Sequence, residues 1–576
     1  MSAIDFLVVT KEAEKGIKKL TIDEKGDFLL KGSAASDHNS FLVDLKLENL
    51  ESNKRDKVVR WRLNAPVEKW ENFQDELALR AQVCSQILHQ SDDFNIKYTK
   101  WRKEVEGAAM ETIGKSTIKF GSRRNESGIV RSIRVEKKNA KRAFESETCA
   151  VKKPKLKEYY IQKQGELRTQ IEYEHNDVIS KKFSSMVEQG KNGFWKEVKR
   201  SKRDKMSEWI SIKDANGERI LDPERQKERI ASYYEDLYSF DPNLEGHSHH
   251  AYIKTKMDEY QSNREHEDEW YNQIPCRRAI AEIIQEKKNK KATTDLPNEL
   301  LKRGERAFVD CLYPVIQEFW ANESAPDEWN QGIISSVYKG KGDREKLQFQ
   351  RGITVSSSIS MICEEIINKR MVKLIPLTQA QGGGKKGAST RDHVFLLRAA
   401  MTHAMRHKKK MYVTFFDVTK AYDRADVEDM LVTMWEKGLN GKLWRLMKAL
   451  NTNLTARIKT RHGLTREIQR IAGGKQGGKN FGFLFAKMMD MLAEDAEKDD
   501  KMGVDFEGLF IALLEWVDDV VTFAIGLEQQ DYTLSCINEF AIKHKLKWGR
   551  DKCNVMEVGC GKYKKTKWDL GVQISW

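Results

Sequence analysis

Two adjacent aspartates, Asp518 and Asp519, sit in the middle of LLEWVDDVVTFAIG (513–526), a stretch otherwise almost wholly β-branched, aromatic and aliphatic. An unpaired carboxylate is costly to bury, so any fold must give this pair a partner. FIALLEW and VVTFAIG read as two short strands, which puts Val517-Asp518-Asp519 at the tip of a hairpin. MYVTFFDVTKAYD (411–423) begins as another buried strand, with Asp417 at its end. Three carboxylates converging from two strands repel one another unless hard cations lie between them. Mg²⁺ takes oxygen ligands, few of them protein carboxylates and the rest water and phosphate oxygens. Two such ions about 4 Å apart stabilise both oxygens of an in-line phosphoryl transfer. The pattern thus points to aspartates compensated by metal and not by basic side chains; a solvated Asp-Asp turn is the alternative.

Charge balance points the same way. Lys plus Arg exceeds Asp plus Glu by 101 − 87 = 14, which favours a polyanionic partner. The eight cysteines are scattered with no CxxC pair, and read as reduced thiols of an intracellular protein, nuclear or cytoplasmic. The start, MSAIDFLVVTKEAEK, lacks the basic and apolar regions of a secretory signal. The apolar run 508–527 carries Glu515, Asp518 and Asp519, which argues against insertion in a membrane.

Along the chain, IDFLVV and SFLVDLKL read as strands joined by a polar loop within the first fifty residues. Residues 51–190 read as a basic helical linker in which VKKPKLK is either a solvated face or a nucleic-acid contact. HSHH (247–250) follows turn-like residues and reads as an exposed loop. From about Phe194 the chain looks globular. DANGERILDPE has the punctuation of a turn between short strands, and ERIASYYEDLY reads as an amphipathic helix. Asp426 is a fair N-cap for a helix whose apolar face is Val427, Met430, Leu431 and Met434.

FFDVTKAYDRAD, GGKQGGKNFGFLF (473–485), WVDD (516–519), KLKWGRDKCNVMEVG (545–559) and KWDLGVQIS (567–575) occur in an ordered series, preceded by 329–371 and QGGGKKGASTRDHVF (381–395). With these motifs the chain, from about Phe194 onward, resembles the reverse transcriptases of non-LTR (LINE-type) retrotransposons. The resemblance implies an α+β fold: a right-hand polymerase palm with an antiparallel sheet backed by helices, and fingers before it. It divides the chain into an N-terminal extension of the polymerase (191–328), fingers (329–410) and a palm ending in a primer-grip hairpin (411–576). It implies RNA-directed DNA polymerisation: an RNA template, a DNA primer, dNTPs, and two Mg²⁺ ions for which Mn²⁺ can substitute. Asp417 and Asp518 would bind both metals and Asp519 support one. Tyr422 would lie against the sugar and leave no room for a 2′-hydroxyl. Lys341 and Arg351 would hold the triphosphate, Gln476 and Gly477 would let the backbone approach the templating pair, and Lys552 would protonate the departing pyrophosphate. QGGGKKGAST lacks the Lys-Ser/Thr pair of a nucleotide-hydrolysing loop.

The chain departs from the family pattern at Thr293-Thr294, where Pro-Gly is usual, at Gly352 for Pro in Arg-Pro-Ile, and at Phe481-Gly482 for Ser-Pro; this predicts looser fingers and a looser template loop. SDHNSFLVDLKL (36–47) resembles the last strands of the apurinic-type endonuclease of these elements, with Asp37 and His38 in its Ser-Asp-His. Residues 1–50 are therefore expected to be an inactive remnant. The family's helical thumb is expected to be absent. Beside the polymerase stand two other readings: a truncated, inactive copy that only binds nucleic acid, and an RNA-dependent RNA polymerase, against which Tyr422 and WVDD argue.

Overall fold

The computed structural model describes residues 17–23, 40–45, 58–118, 127–147, 149, 151–188, 212–214, 216–240, 248–289, 294–549, 552–559 and 564–566. The chain divides into two compact units, residues 1–62 with 115–194, and residues 63–114 with 195–576.

In the first unit Ile17–Asp23 pairs antiparallel with Ser40–Leu45, and Val58–Trp61 with Lys115–Ile118. IDFLVV, Asp37 and His38 lie outside the described residues. The partner of 40–45 falls where a polar loop was expected, because two lysines in IKKLTID break its apolar run. Helices Gly128–Ser146 and Lys153–Glu188 pack on each other. Ser127 caps the first of them by accepting from the Val130 amide at 3.1 Å.

In the second unit, helices α1 (Val67–Leu88), α2 (Phe94–Thr112) and α3 (Glu305–Asn322) share one core. Trp101 Nε1 donates to the Cys311 carbonyl at 2.8 Å, and the Cys311 thiol lies 3.2 Å from the Leu77 carbonyl. The expected basic linker over 51–190 is therefore not one unit. Its helices α1 and α2 belong with the globular body, since Trp70, Phe73, Leu77 and Cys84 recur at helical spacing on a buried stripe. The polar average of the segment concealed that stripe.

Ten further strands form two sheets: β1 (Gln331–Tyr338), β2 (Gln350–Val355), β3 (Met411–Asp417), β4 (Leu454–Thr460), β5 (Gly463–Leu464), β6 (Ile468–Arg470), β7 (Leu513–Trp516), β8 (Asp519–Ala524), β9 (Asn554–Val558) and β10 (Lys564–Thr566). One sheet runs β5-β4-β1-β2, with β6 also on β4. Here β4 lies parallel to β1, so residues expected in the palm complete a sheet begun in the fingers segment. The other, the palm sheet, runs β7-β8-β3-β9-β10 with every described pairing antiparallel. The helices of this part of the chain are α4 (Ser360–Leu374), α5 (Thr390–Arg406), α6 (Val427–Glu436), α7 (Gly441–Asn451), α8 (Lys479–Lys498) and α9 (Leu527–Lys543). Helix α8 packs on β7, α4 and α6, and α9 packs on β8. Asp426 does cap α6, accepting from the Glu428 amide at 3.1 Å, and Val427, Met430, Leu431 and Met434 are all buried.

HSHH is not an exposed loop where it is described. His249 and His250 open the helix Ser248–Ser262. His249 Nε2 lies 3.3 Å from Asp429 Oδ1, and the other Asp429 oxygen lies 2.6 Å from Nδ1 of buried His544. Burial opposes ionisation of Asp429, yet the His544 and His249 rings hold its carboxyl at about 2. No helix among the described residues is long and apolar enough to cross a membrane.

Candidate active site

The β7–β8 hairpin puts Trp516 opposite Asp519, so Val517 and Asp518 form its two-residue tip. Asp519 in turn pairs directly with Asp417 at the end of β3. The three aspartates singled out by sequence are thus brought together at one end of the palm sheet. Burial, then the charges of Asp519 and Asp417, push the Asp518 carboxyl up to about 6. Burial and Asp417 raise Asp519 as well. Mutual repulsion of carboxylate oxygens is the charge pattern that a pair of hard divalent cations relieves, and an all-oxygen donor set suits Mg²⁺.

The aspartates are not without a basic partner, as had been expected. Lys552 Nζ bonds Asp417 Oδ2, brought there by the turn before β9. Lys341 and Arg351 are exposed near the facing ends of β1 and β2. A residue that sequence reading passed over, Lys339, is exposed just past the end of β1 and within electrostatic reach of both. Burial lowers its ammonium first; Arg351, Lys552 and Lys341 push it further down, while Asp423 opposes them. Lys341, Arg351 and Lys552 thus lie within electrostatic reach of Lys339, and Lys552 is bonded to Asp417.

Tyr422 is half-buried, stacked on Phe485 at 5.5 Å and tilted against Phe481 at 5.7 Å. Burial and the charge of Asp518 push its hydroxyl up to about 12. Asp423, next to it, is raised by burial and partnered electrostatically by Arg470, Lys339, Lys420 and Arg424.

The GGKQGG loop is fastened on both sides. The Gly473 amide donates to Ala425 at 2.9 Å, and the Gln476 carbonyl accepts from Thr354 at 3.0 Å. Buried Lys475 donates to the Trp329 carbonyl at 2.9 Å. Gly473 has φ +69°, and a Cβ there would lie 2.5 Å from the Asp423 carbonyl; one on Gly474 would lie 1.8 Å from the Phe481 ring. Gly477 is exposed with φ +115°. The departures from the family pattern do not loosen these places. Phe481 fills the space over Gly474, and Gly352 is buried with Tyr234 2.9 Å from where its Cβ would be.

Sequence reading also passed over the brace behind the hairpin tip. Val517 has φ +61°, a costly conformation for a β-branched residue. Gln381, fully buried, accepts from the Val517 amide at 2.8 Å and the Gly383 amide at 2.9 Å, and donates to Glu515 at 3.0 Å. Burial raises the Glu515 carboxyl well above the usual range. Glu515 was visible in the sequence only as an obstacle to membrane insertion.

Residues 341–574 match the family model described as "Reverse transcriptase (RNA-dependent DNA polymerase)". This stretch, under half of the chain, is similar to reverse transcriptase domains. It holds all nine residues predicted for the site, and the palm sheet with its aspartates lies inside it. The chain is 27% identical over 185 residues to a probable RNA-directed DNA polymerase from the Drosophila melanogaster transposon X-element, covering 30% of this chain and 19% of that one. It is also 27% identical over 128 residues to the probable RNA-directed DNA polymerase from transposon BS of the same fly, covering 22% and 13%. The chain thus matches less than a fifth of the length of either relative. Among solved structures, a Candida albicans telomerase with a telomeric RNA fragment aligns over 42% of this chain and 46% of its own, at 12% identity and a TM-score of 0.31. Likeness of that degree is too slight to bear on fold or function. The primer-grip segment 567–575 lies outside the described residues.

Proposed function

We propose that this chain is an RNA-directed DNA polymerase of a non-LTR retroelement, which joins dNTPs to the 3′-hydroxyl of a DNA primer on an RNA template. The observation that carries the reading is the meeting of Asp417, Asp518 and Asp519 across β3 and the β7–β8 tip, inside a stretch similar to reverse transcriptase domains. These three carboxylates would hold two Mg²⁺ ions, with Mn²⁺ able to serve. When bound, the ions supply positive charge to the attacking and leaving oxygens of an in-line displacement.

The remaining work falls to side chains. Lys339, Lys341 and Arg351 bind and orient the triphosphate, the arginine through its planar fork. Lys552, which bonds Asp417, would give a proton to the leaving pyrophosphate oxygen. Gln476 and Gly477 carry the backbone under the templating base. The Tyr422 ring, fixed by Phe485 and Phe481, blocks the sugar's 2′ position. The positive net charge favours the nucleic-acid strands as partners. The segment around Asp37 and His38 would belong to an apurinic-type endonuclease, a reading supported only by its motif.

Tyr422→Ala tests the assignment at the sugar. It should relax discrimination between dNTP and rNTP by roughly 10²-fold, the scale on which a pocket rejects one added hydroxyl. Single-nucleotide insertion on an RNA template measures the ratio, and an unchanged ratio removes Tyr422 from this role.

A further inference from the structure

Helix α5 ends beside a second cluster of metal-ligating groups. His403 and His407, four residues apart, share one helix face, and their ring centroids are 4.3 Å apart. Opposite them is Glu507, at the tip of a hairpin made by Val504–Phe506 and Leu509–Ile511. Its Oε1 lies 3.9 Å from His403 Nδ1 and 3.3 Å from His407 Nε2. One ligand atom from each of the three residues lies within 4.8 Å of the others. A tetrahedral zinc ion with bonds of about 2.0–2.1 Å separates its ligand atoms by roughly 3.3 Å, so the tripod is close to the required size.

The surroundings favour this arrangement. Glu507 and Gly508 have φ of 58° and 92°, as a type I′ turn requires. Asn, Asp or Gly usually fills the first of these places, yet here a long carboxylate occupies it, on the side of the helix end. Asp505 holds the turn by accepting from the Gly508 amide at 2.8 Å, and the His403 ring is set edge-on against Phe506 at 5.5 Å. A helix C-terminus favours positive charge. Three lysines follow α5, but Lys410 is drawn to Glu557 at 2.9 Å.

We propose that His403, His407 and Glu507 bind a divalent transition-metal ion of the zinc class, leaving a coordination position open to water. Two imidazole nitrogens and one carboxylate suit zinc, cobalt or nickel better than Mg²⁺, which prefers oxygen throughout. The site is separate from the three aspartates. His393, whose ring meets Trp516 at 5.8 Å, is ten residues back along α5, about 15 Å at the helical rise. Bound metal would tie the 504–511 hairpin to the helix whose first turn abuts the active-site hairpin.

The test uses the full chain carrying Asp417→Asn and Asp518→Asn, so that the active-site carboxylates do not report. It is titrated with Co²⁺ alone, then with Zn²⁺ against a chromophoric chelator. One equivalent should bind with visible d–d absorption and raise the melting temperature. His407→Ala or Glu507→Gln should weaken Zn²⁺ binding by at least about 10–100-fold, the loss that even outer-shell changes produce. Glu507 lies on an exposed turn, so its variant remains informative if the histidine variant fails to fold. Equal Zn²⁺ affinity with and without Glu507→Gln, or no uptake by the parent, would overturn the proposal. Because the background protein cannot polymerise, neither result depends on the polymerase reading.

Discussion

Asp518 carries an electrostatic cost that is measurable without any substrate. Its carboxyl is raised from 3.8 to about 6 by burial and by its two acidic neighbours. A folded-state value above the unfolded one means that the folded chain binds more protons between pH 3.8 and 6. Stability from this group is therefore present at low pH and lost as the pH rises through about 6. In EDTA at pH 7.5, Asp518→Asn should stabilise the protein by about 1–2 kcal/mol, after discounting the shift for partial exposure. At pH 4.5 the difference should shrink toward zero. Thermal melts of both proteins at the two pH values check this, and a variant less stable at pH 7.5 would contradict it. The same residues show what was legible at this scale. Asp417 and Asp518 stood out through local strand and turn patterns, whereas Tyr422, Gln476 and Lys552 were singled out only through the ordered motifs of the resembled family. Gln381 and Glu515 were not legible, because their roles come from burial between elements distant in sequence.

The GGKQGG loop is the element that ties the two sheets together. It runs from β6 over Asp423 to the start of α8, and its glycines are dictated by neighbours and not by flexibility. Gly474 lies under Phe481, the residue that replaces the serine of the usual family pattern. Gly474→Ala should destabilise the protein by about 1–3 kcal/mol, as overpacking does. Adding Phe481→Ala should recover part of that loss, so the two effects will not be additive. Urea denaturation of the four proteins in the cycle measures the coupling, and strict additivity would show that the ring and the glycine do not meet. Sequence alone predicted a looser loop here, because a substitution of proline by glycine reads as lost rigidity until the packed ring is seen. Helix α6 and the β7–β8 turn were legible, since capping and turn chemistry are local. FIALLEW, read as one strand, instead divides between Leu509–Ile511 and β7, and Asp519 lies in β8 and not at the tip. The parallel pairing of β4 with β1 was not legible, because it joins residues more than a hundred positions apart.

At the scale of the molecule, the globular body extends further toward the N-terminus than charge and composition suggest. Helices α1 and α2 pack with α3, and Trp101 is fully buried with its indole N–H bonded to Cys311. Trp101→Ala should cost about 3–5 kcal/mol and lower the melting temperature of the polymerase body; a silent substitution would mean that these helices form no part of it. The central claim is that the three aspartates form the centre of a working polymerase. Primer extension on an RNA template with dNTPs and Mg²⁺, with wild type beside Asp518→Asn at matched RNA binding, tests it most directly. The account predicts extension by the wild type and its loss, by two or more orders of magnitude on the general scale of removed catalytic groups, in the variant. RNA binding by both proteins with extension by neither would contradict it and leave a nucleic-acid-binding protein without catalysis.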